Sequence, residues 1–451
     1  MTSTKPAHQK ELFGHPVGLY ILFFTEMWER FSYYGMRALF TLFLVAETTS
    51  SNAGFGWTNA EALALYGWYT MLVYVSSIPG GWIADRLLGQ KKTVMLGGVL
   101  LCIGHSVLAL NSETSFYVGC LFIILGVGCL KPNISSMVGG LYKPKDERRD
   151  LGFYIFYLGI NIGGFLAPIL CGYVGENISW HYGFGLAAIG MFFGQAVYVW
   201  GQKYLVDVGN LISRKNDADR AILEKPLTSI EKDRIKVLLI SFLLIILFWA
   251  AFEQAGGLMN LYASQKTDRN FFGLFEIPAS VFQSVNSFFI ITLATGVGAF
   301  WLKWRKMGKE SSSIFKIAVG LIIMAVGFGF MSAASIQYEN NGSSAMYWLI
   351  LAYLLHTIGE LCASPVSLSY ITKLAPLKYA SIIMGMYWAA TGLGNKVAGL
   401  IGQSSEQLGE FEIFTGIAVV WTLIGLAVIF MLKPLKRLAH GAEDGETKIV
   451  S

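Results

Sequence analysis

The chain alternates between apolar stretches of about 20 residues and short polar connections, and about twelve such stretches recur along it. A helix of this length crosses roughly 30 Å of hydrocarbon, so each stretch predicts one membrane-spanning helix. A β-barrel would instead show strands of about ten residues with alternating polarity. We therefore expect an all-α membrane protein with about 12 transmembrane helices. The predicted spans are 17–45, 60–84, 93–110, 115–141, 150–174, 182–205, 236–262, 277–302, 314–335, 344–372, 379–403 and 413–433.

The composition agrees with this pattern. Of 451 residues, 54% are hydrophobic and 14% are charged, whereas soluble domains carry about 25% charged residues. Such an excess cannot be buried in one water-soluble core, so part of it must face lipid. The first apolar run begins near Val17 and lacks a cleavage-site pattern, so we interpret it as a span and not as a signal peptide.

The basic residues are distributed unevenly among the connections. They concentrate in the tails and in connections such as 86–92, 143–149 and 303–309, while the opposite connections hold Lys266 and Arg269. The positive-inside rule then predicts that both termini are cytoplasmic. This bias explains the formal net charge of +5, so we expect no nucleic-acid partner. The five cysteines lie within spans, which indicates neither a disulfide framework nor a zinc site.

The longest polar connection divides the predicted spans into six and six. This layout resembles the major facilitator superfamily, in which two six-helix halves hold substrate near the midplane. The stretch Gly81–Lys92 resembles the loop motif that follows the second span in that superfamily. The predicted regions are a cytoplasmic tail 1–16, a six-helix bundle 17–206, a cytoplasmic linker 207–235, a second six-helix bundle 236–433 and a cytoplasmic tail 434–451.

Ionisable residues inside the spans are the strongest functional signal. Each costs about 2.5–3.5 kcal/mol or more at the bilayer centre, and such residues are functional hypotheses by default. Four acids and four bases suggest mutual pairing around a wet cavity. They are Glu26, Glu29, Arg30, Arg37, Lys131, Glu253, Glu360 and Lys396.

The first span concentrates this chemistry. Glu26, Arg30, Tyr33 and Arg37 fall within about 60° of arc on a helix, flanked by Glu29 and Tyr34. A carboxylate beside an arginine stays ionised, but it becomes easier to protonate when another anion draws the arginine away. A substrate carboxylate would be such an anion, and its binding would then be coupled to protonation.

The other charges predict a bipolar cavity. Arg30, Arg37 and Lys131 would make one end positive, and Glu360 with Glu253 would make the other negative. A short peptide is a zwitterion with matching separated charges. We also expect Pro132 to loosen the fourth span next to Lys131. Tyrosine and tryptophan side chains would contact the substrate without strong selection, namely Tyr34, Tyr74, Trp249 and Tyr387.

These residues lie in motifs that resemble the proton-coupled oligopeptide transporters. The motifs are EMWERFSYYG at 26–35, LKPN at 130–133, FYLGINIG at 156–163, FWAAFEQ at 248–254, FQSVN at 282–286 and GELCASP at 359–365. The resemblance covers nearly the whole chain. It implies proton-driven import of di- and tripeptides, or of peptidomimetics, by alternating access in a multi-pass protein of the bacterial inner membrane. Protons would be the coupling ion, no other cofactor is expected, and we expect a monomer in the lipid bilayer.

Residue chemistry and resemblance together give two candidate sets. The proton-coupling set is Glu26, Glu29, Arg30, Lys131 and Glu253. The substrate-binding set is Tyr33, Tyr34, Arg37, Tyr74, Lys131, Asn161, Trp249, Asn286, Glu360, Ser364 and Tyr387.

The chain departs from the family pattern at several places, two of them on the eleventh span. Lys396 is an unexpected charge on the eleventh span, and Tyr387-Trp388 replaces a Trp-Phe pair. These departures leave open a transporter of another small zwitterion, an anion or a peptide-like drug. A membrane enzyme is disfavoured because the scattered span histidines have no nucleophile or metal ligand at suitable spacing. A scaffold or nutrient sensor would not need this set of membrane charges.

Overall fold

The computed structural model describes residues 10–110, 112–143, 146, 148–206, 208–211, 226–376 and 379–442. Parts of the predicted tails and linker lie outside these residues. The described chain is nearly all helical and divides into two compact units. Unit 1 comprises 1–55 and 73–213, and unit 2 comprises 56–72 and 214–451.

Unit 1 is built on a long first helix. α1 packs against α6 and α7, while α4 pairs with α5. Two short strands precede α1, namely β1 (Glu11–Leu12) and β2 (His15–Pro16). The helices of the first half are α1 (Val17–Val45), α2 (Asn59–Val75), α3 (Ser77–Ile83), a π-helical turn (Ala84–Leu88), α4 (Gln90–Leu108), α5 (Glu113–Gly140), α6 (Arg148–Asn177), α7 (Trp180–Gly201) and a 3₁₀ turn (Gln202–Tyr204).

Unit 2 includes residues 56–72, which hold most of α2, together with the second half of the chain. Its helices are α8 (Ser229–Phe252), a 3₁₀ turn (Glu253–Ala255), α9 (Leu258–Gln265), a 3₁₀ turn (Ala279–Gln283), α10 (Ser284–Lys306), α11 (Ser313–Asn341), α12 (Met346–Leu374), α13 (Ala380–Leu408), α14 (Glu410–Phe430) and α15 (Leu432–Ala439). α11 packs against α12 and against α14, and α13 packs against α8. Its short strands are β3 (Thr267–Asp268), β4 (Asn270–Phe271), β5 (Phe275–Glu276) and β6 (Ser344–Ala345).

Nine helical segments in the described residues are long and apolar enough to cross a membrane. The other three predicted spans correspond to α1, to α2 with α3, and to α13. α1 is long enough but carries four ionisable residues in its middle. α2 has only 17 residues and ends before α3. Charge in α1 and the break after α2 account for two of these three differences, and all three segments are helical.

Two predicted spans are interrupted. The second predicted span breaks between α2 and α3 at Ser76. Pro79 follows three residues later, and it has no backbone N–H to donate to the preceding helical turn. The seventh breaks between α8 and α9 at Gly256 and Gly257, and this break places Glu253 in a 3₁₀ turn.

The fourth predicted span is not interrupted. α5 runs continuously through Pro132, so the proline does not end the helix. Its ring leaves the carbonyl of Gly128 without the usual helical donor. A Cβ added to Gly80 would lie 1.9 Å from that carbonyl oxygen, so glycine at this position lets α3 approach α5 closely.

Candidate functional site

The acidic and basic residues of α1 form a buried cluster in unit 1. Arg30 Nη2 donates to Glu29 Oε1 at 2.7 Å, and Arg30 Nε donates to the other Glu29 oxygen. Arg30 Nε also lies 3.1 Å from Glu26 Oε1, one helical turn away. All three side chains are at most 4% exposed. One guanidinium is therefore shared by two carboxylates, as the spacing in the sequence predicts.

The two carboxylates are not equivalent. Glu29 receives hydrogen bonds from Arg30 on both of its oxygens. Glu26 Oε2 is buried and has no hydrogen-bond partner among the described residues. A buried polar atom without a partner costs about 1–3 kcal/mol, and more when charged. A proton on Glu26 Oε2 would remove the charge from this incompletely bonded carboxylate.

Aromatic rings flank the same helix face. The guanidinium carbon of Arg30 lies 5.3 Å from the ring centroid of Tyr33, and that of Arg37 lies 5.7 Å from Tyr34. The two tyrosine rings meet edge to face at 5.5 Å. Cation–π contacts of this kind are worth about 0.5–2 kcal/mol. The face therefore places an aromatic ring beside each of its two arginines.

Lys131 and Tyr74 also meet within unit 1. Lys131 Nζ lies 3.8 Å from the ring centroid of Tyr74. Two residues that the sequence predicts to bind substrate are therefore in contact. Asn161 is 4% exposed, and its amide donates to Tyr157 O of its own helix at 2.9 Å. That bond uses one donor of the Asn161 amide locally.

In unit 2, Glu253 is 6% exposed and accepts a hydrogen bond from the hydroxyl of Tyr66, which is 1% exposed. Tyr66 was not among the residues predicted from the sequence. Nothing in its local sequence marks it, because its significance depends on α2 meeting the turn that follows α8. The structure thus adds Tyr66 as a residue that contacts a predicted proton-coupling carboxylate.

A second polar cluster of unit 2 joins α10 to α12. The amide of Asn286 donates to Glu360 Oε2 at 2.9 Å and lies 3.0 Å from Thr357 Oγ1. Ser364, one turn beyond Glu360, is half-buried, and its carbonyl accepts a hydrogen bond from Ser367. The predicted pair Asn286 and Glu360 is therefore in direct contact, and Thr357 is an addition from the structure.

The predicted aromatic contacts of unit 2 lie on separate helices. Trp249 packs edge to face on Phe252, with ring centroids 5.3 Å apart. Tyr387 is 4% exposed and packs edge to face on Trp388 at 5.2 Å. Trp249 is only half-buried, so it remains more accessible than Tyr387.

The unexpected Lys396 contacts an aromatic ring. Its Nζ lies 4.2 Å from the ring centroid of Trp68 on α2. Beside this contact the two backbones approach closely, since a Cβ added to Gly399 would lie 2.7 Å from the Cα of Gly67. Glycine at 67 and 399 therefore permits the helix crossing that brings Lys396 to Trp68.

Comparisons with known proteins give one consistent result. Residues 91–214 and 228–413 match the profile of the POT family. The chain is 36% identical to the uncharacterised transporter YclF of Bacillus subtilis (strain 168), with 97% of this chain and 98% of that protein covered. It is 34% identical to a di-/tripeptide transporter of Lactococcus lactis subsp. lactis (strain IL1403), with 95% and 98% covered. A crystal structure of the peptide transporter POT in complex with sulfate superposes with a TM-score of 0.88 at 33% identity, with 95% and 97% covered.

Proposed function

The chain belongs to the POT family, and we propose that it imports di- and tripeptides together with protons. The membership confirms the predicted family and the all-α membrane fold of the major facilitator type. It also confirms that the chain is a transporter and not an enzyme. The substrate rests on the relative from Lactococcus lactis, which is named for di- and tripeptides.

The observation that carries proton coupling is the unequal pairing in the α1 cluster. Arg30 satisfies Glu29 twice, while one oxygen of buried Glu26 lacks a partner among the described residues. Two carboxylates share one guanidinium that binds mainly Glu29, so Glu26 is the carboxylate that a proton would stabilise more. We propose Glu26 as the proton acceptor, with Arg30 and Glu29 fixing its position.

Substrate recognition follows from charges held by aromatic and amide neighbours. Arg37 and Lys131 each lie over a tyrosine ring, so they offer cations to the carboxylate of a peptide. Glu360 is oriented by Asn286, so it offers an anion to a peptide amino group. Tyr33, Tyr34, Tyr74, Trp249 and Tyr387 supply apolar surface that tolerates different side chains.

Transport in reconstituted liposomes tests this proposal. The purified protein is supplied with an inward proton gradient and an inside-negative potential, and accumulation of labelled dialanine is measured, with free alanine as the competitor control. Uptake that collapses with a protonophore and is blocked by dipeptides, but not by alanine, is the expected result. Folded protein without dipeptide uptake would refute the substrate.

A second substrate class is supported by Lys396, one of the positions that depart from the family pattern. Lys396 adds a cation to α13, and its Nζ lies over the ring of Trp68. We propose another small zwitterion as the alternative substrate, and the same liposomes supplied with amino acids and short ω-amino acids would distinguish it. The protein is further proposed to act as a monomer in the bacterial inner membrane.

A further inference from the structure

Two short hairpins of the chain share an unusual turn. In the first, β1 pairs with β2, and the connecting residues Phe13 and Gly14 have φ of 48° and 78°. In the second, β4 pairs with β5, and the turn residues Phe272 and Gly273 have φ of 51° and 76°. Positive φ at both central residues is the pattern of a type I′ turn.

Phenylalanine is a poor choice at these positions. Bulky residues rarely adopt positive φ, and the first position of such turns favours Asn, Asp or Gly. Among the described residues, three non-glycine residues have positive φ: Phe13, Phe272 and His440. Strained backbone conformations of this kind cluster at functional positions. The two phenylalanine rings therefore require a functional explanation.

Both rings project away from the protein. Phe13 is 86% exposed and Phe272 is 87% exposed. The second tip is a larger apolar patch, because Leu274 and Phe275 are also exposed, and the ring of Phe271 lies 4.8 Å from Phe272. Contiguous exposed apolar surface indicates contact with a partner or a membrane.

The first hairpin lies directly at the end of a span. β2 ends at Pro16, and α1 begins at Val17. The Phe13 ring packs edge to face on Tyr20 in the first turns of α1, with ring centroids 6.4 Å apart. The tip therefore continues the apolar surface of a membrane-spanning helix.

The base of the first hairpin is polar and fixed. His15 Nδ1 lies 2.8 Å from the hydroxyl of Tyr142. Arg148 donates to Gly14 O at 2.9 Å and to Glu11 Oε1 at 3.0 Å. The Phe13 side chain is apolar, while charged and polar groups flank it and reach the turn at the carbonyl of Gly14. Apolar and charged groups adjoin in this way in a lipid headgroup region.

The second hairpin repeats this polarity. Arg269 donates to Ile277 O at 2.9 Å and pairs with Glu276 at 2.6 Å. Within the turn, Gly273 N donates to the side chain of Asn270 at 2.7 Å. The contacts of Arg269 lie at the base, and the turn holds one backbone-to-side-chain bond, while the side chains of Phe272 and Leu274 at the tip are apolar. The strand β3 next to it pairs with β6, which ties the hairpin to the connection between α11 and α12.

We propose that Phe13 and Phe272 are interfacial anchors that insert into the lipid headgroup and acyl boundary, each in the leaflet nearest its hairpin. The occupant is lipid because both hairpins lie next to spans, their turns contain no charged side chain, and they present phenylalanine, which lacks a polar group that would favour water. The sequence places the first hairpin on the cytoplasmic side and the second on the external side. The anchors do not depend on the transported solute.

Depth measurement on single cysteines tests the anchors. The native cysteines are buried, so Phe13→Cys and Phe272→Cys accept a nitroxide label selectively. In liposomes, both labels should collide more with lipid-soluble oxygen than with a water-soluble nickel chelate. The controls Ser51→Cys and Lys309→Cys, at exposed polar positions, should show the reverse. Labels at 13 and 272 that behave like the controls, or that are shielded from both reagents by protein, would overturn the proposal.

A matched pair of turn variants separates the ring from the backbone. Asn favours positive φ, so Phe272→Asn keeps the turn and removes the ring, whereas Phe272→Trp keeps an aromatic anchor. A label at Leu274→Cys should lose most of its oxygen preference in the Asn variant and retain it in the Trp variant. Equal lipid exposure in both would show that Phe272 does not anchor the hairpin.

Discussion

Replacing Glu26 with Gln should uncouple transport from the proton gradient while leaving the protein folded. Gln has nearly the shape of a protonated Glu, and Arg30 keeps both of its hydrogen bonds to Glu29. The cluster would then be fixed in its proton-loaded charge state. Exchange of labelled for unlabelled peptide across the membrane should persist, but accumulation against a gradient should not.

The expected magnitude follows from the driving force. One proton moving through 100 mV gains about 2.3 kcal/mol, and about 1.4 kcal/mol corresponds to a tenfold concentration ratio. A coupled one-proton transporter therefore concentrates peptide roughly 45-fold on the potential alone. In Glu26→Gln this ratio should fall to about one, as for a passive carrier.

Two matched variants complete the assay. Glu113→Gln changes an exposed carboxylate at the start of α5 and should accumulate peptide normally. Glu29→Gln removes the negative charge and replaces one of the two oxygens that Arg30 binds with an amide NH2 group. Breaking a buried ion pair costs about 3–5 kcal/mol, so this variant should chiefly lower thermal stability. The decisive case is folded Glu26→Gln protein in liposomes. If it accumulates peptide near the wild-type ratio, and a protonophore abolishes this accumulation, Glu26 is not the proton acceptor.

Three further predictions concern charges elsewhere. Lys131→Gln should raise KM for dipeptides about 10- to 100-fold, since a hydrogen bond to a charged group is worth about 1.5–3 kcal/mol. Unchanged uptake kinetics in this variant would show that Lys131 has a structural role only. Asn286→Ala removes a hydrogen bond to Glu360 and should raise KM more for peptides with a free amino terminus than for acetylated ones; equal effects would contradict the proposed role of Glu360. Glu310 is partly buried, which opposes ionisation, but hydrogen bonds from Lys436 and Ser312 lower its pKa from 4.5 to about 2. The stabilisation of the folded protein by ionised Glu310 is then complete above pH 4.5 and is lost as the pH falls to about 2. The melting temperature of Glu310→Gln should therefore change less than that of the wild type over this range. Parallel curves of melting temperature against pH for the two proteins would show that the ion pair contributes nothing.

The α1 cluster could be predicted from the sequence because helical geometry is local. Residues four apart lie on one face, so the contact between Glu26 and Arg30 follows from their spacing. The sequence did not indicate which carboxylate would be left incompletely paired. That depends on the rotamer of Arg30, which is set by packing within unit 1.

The contacts between distant segments could not be predicted in the same way. Tyr66 binds Glu253, and Lys396 meets Trp68, although each pair is separated by well over a hundred residues. Hydropathy gives the length of a helix but not its neighbours or its rotation. The continuous helix through Pro132 also required the structure, because a proline is tolerated where the neighbouring helix compensates.

The sequence by itself determined the membrane class, the positions of the apolar helices and the charged face of α1, since these depend on local hydropathy and helical period. The tertiary structure decided which polar groups are paired. It revealed the incompletely bonded Glu26, the contact of Tyr66 with Glu253 and the exposed phenylalanine turns, because burial and hydrogen bonding are properties of packed neighbours and not of the order of residues.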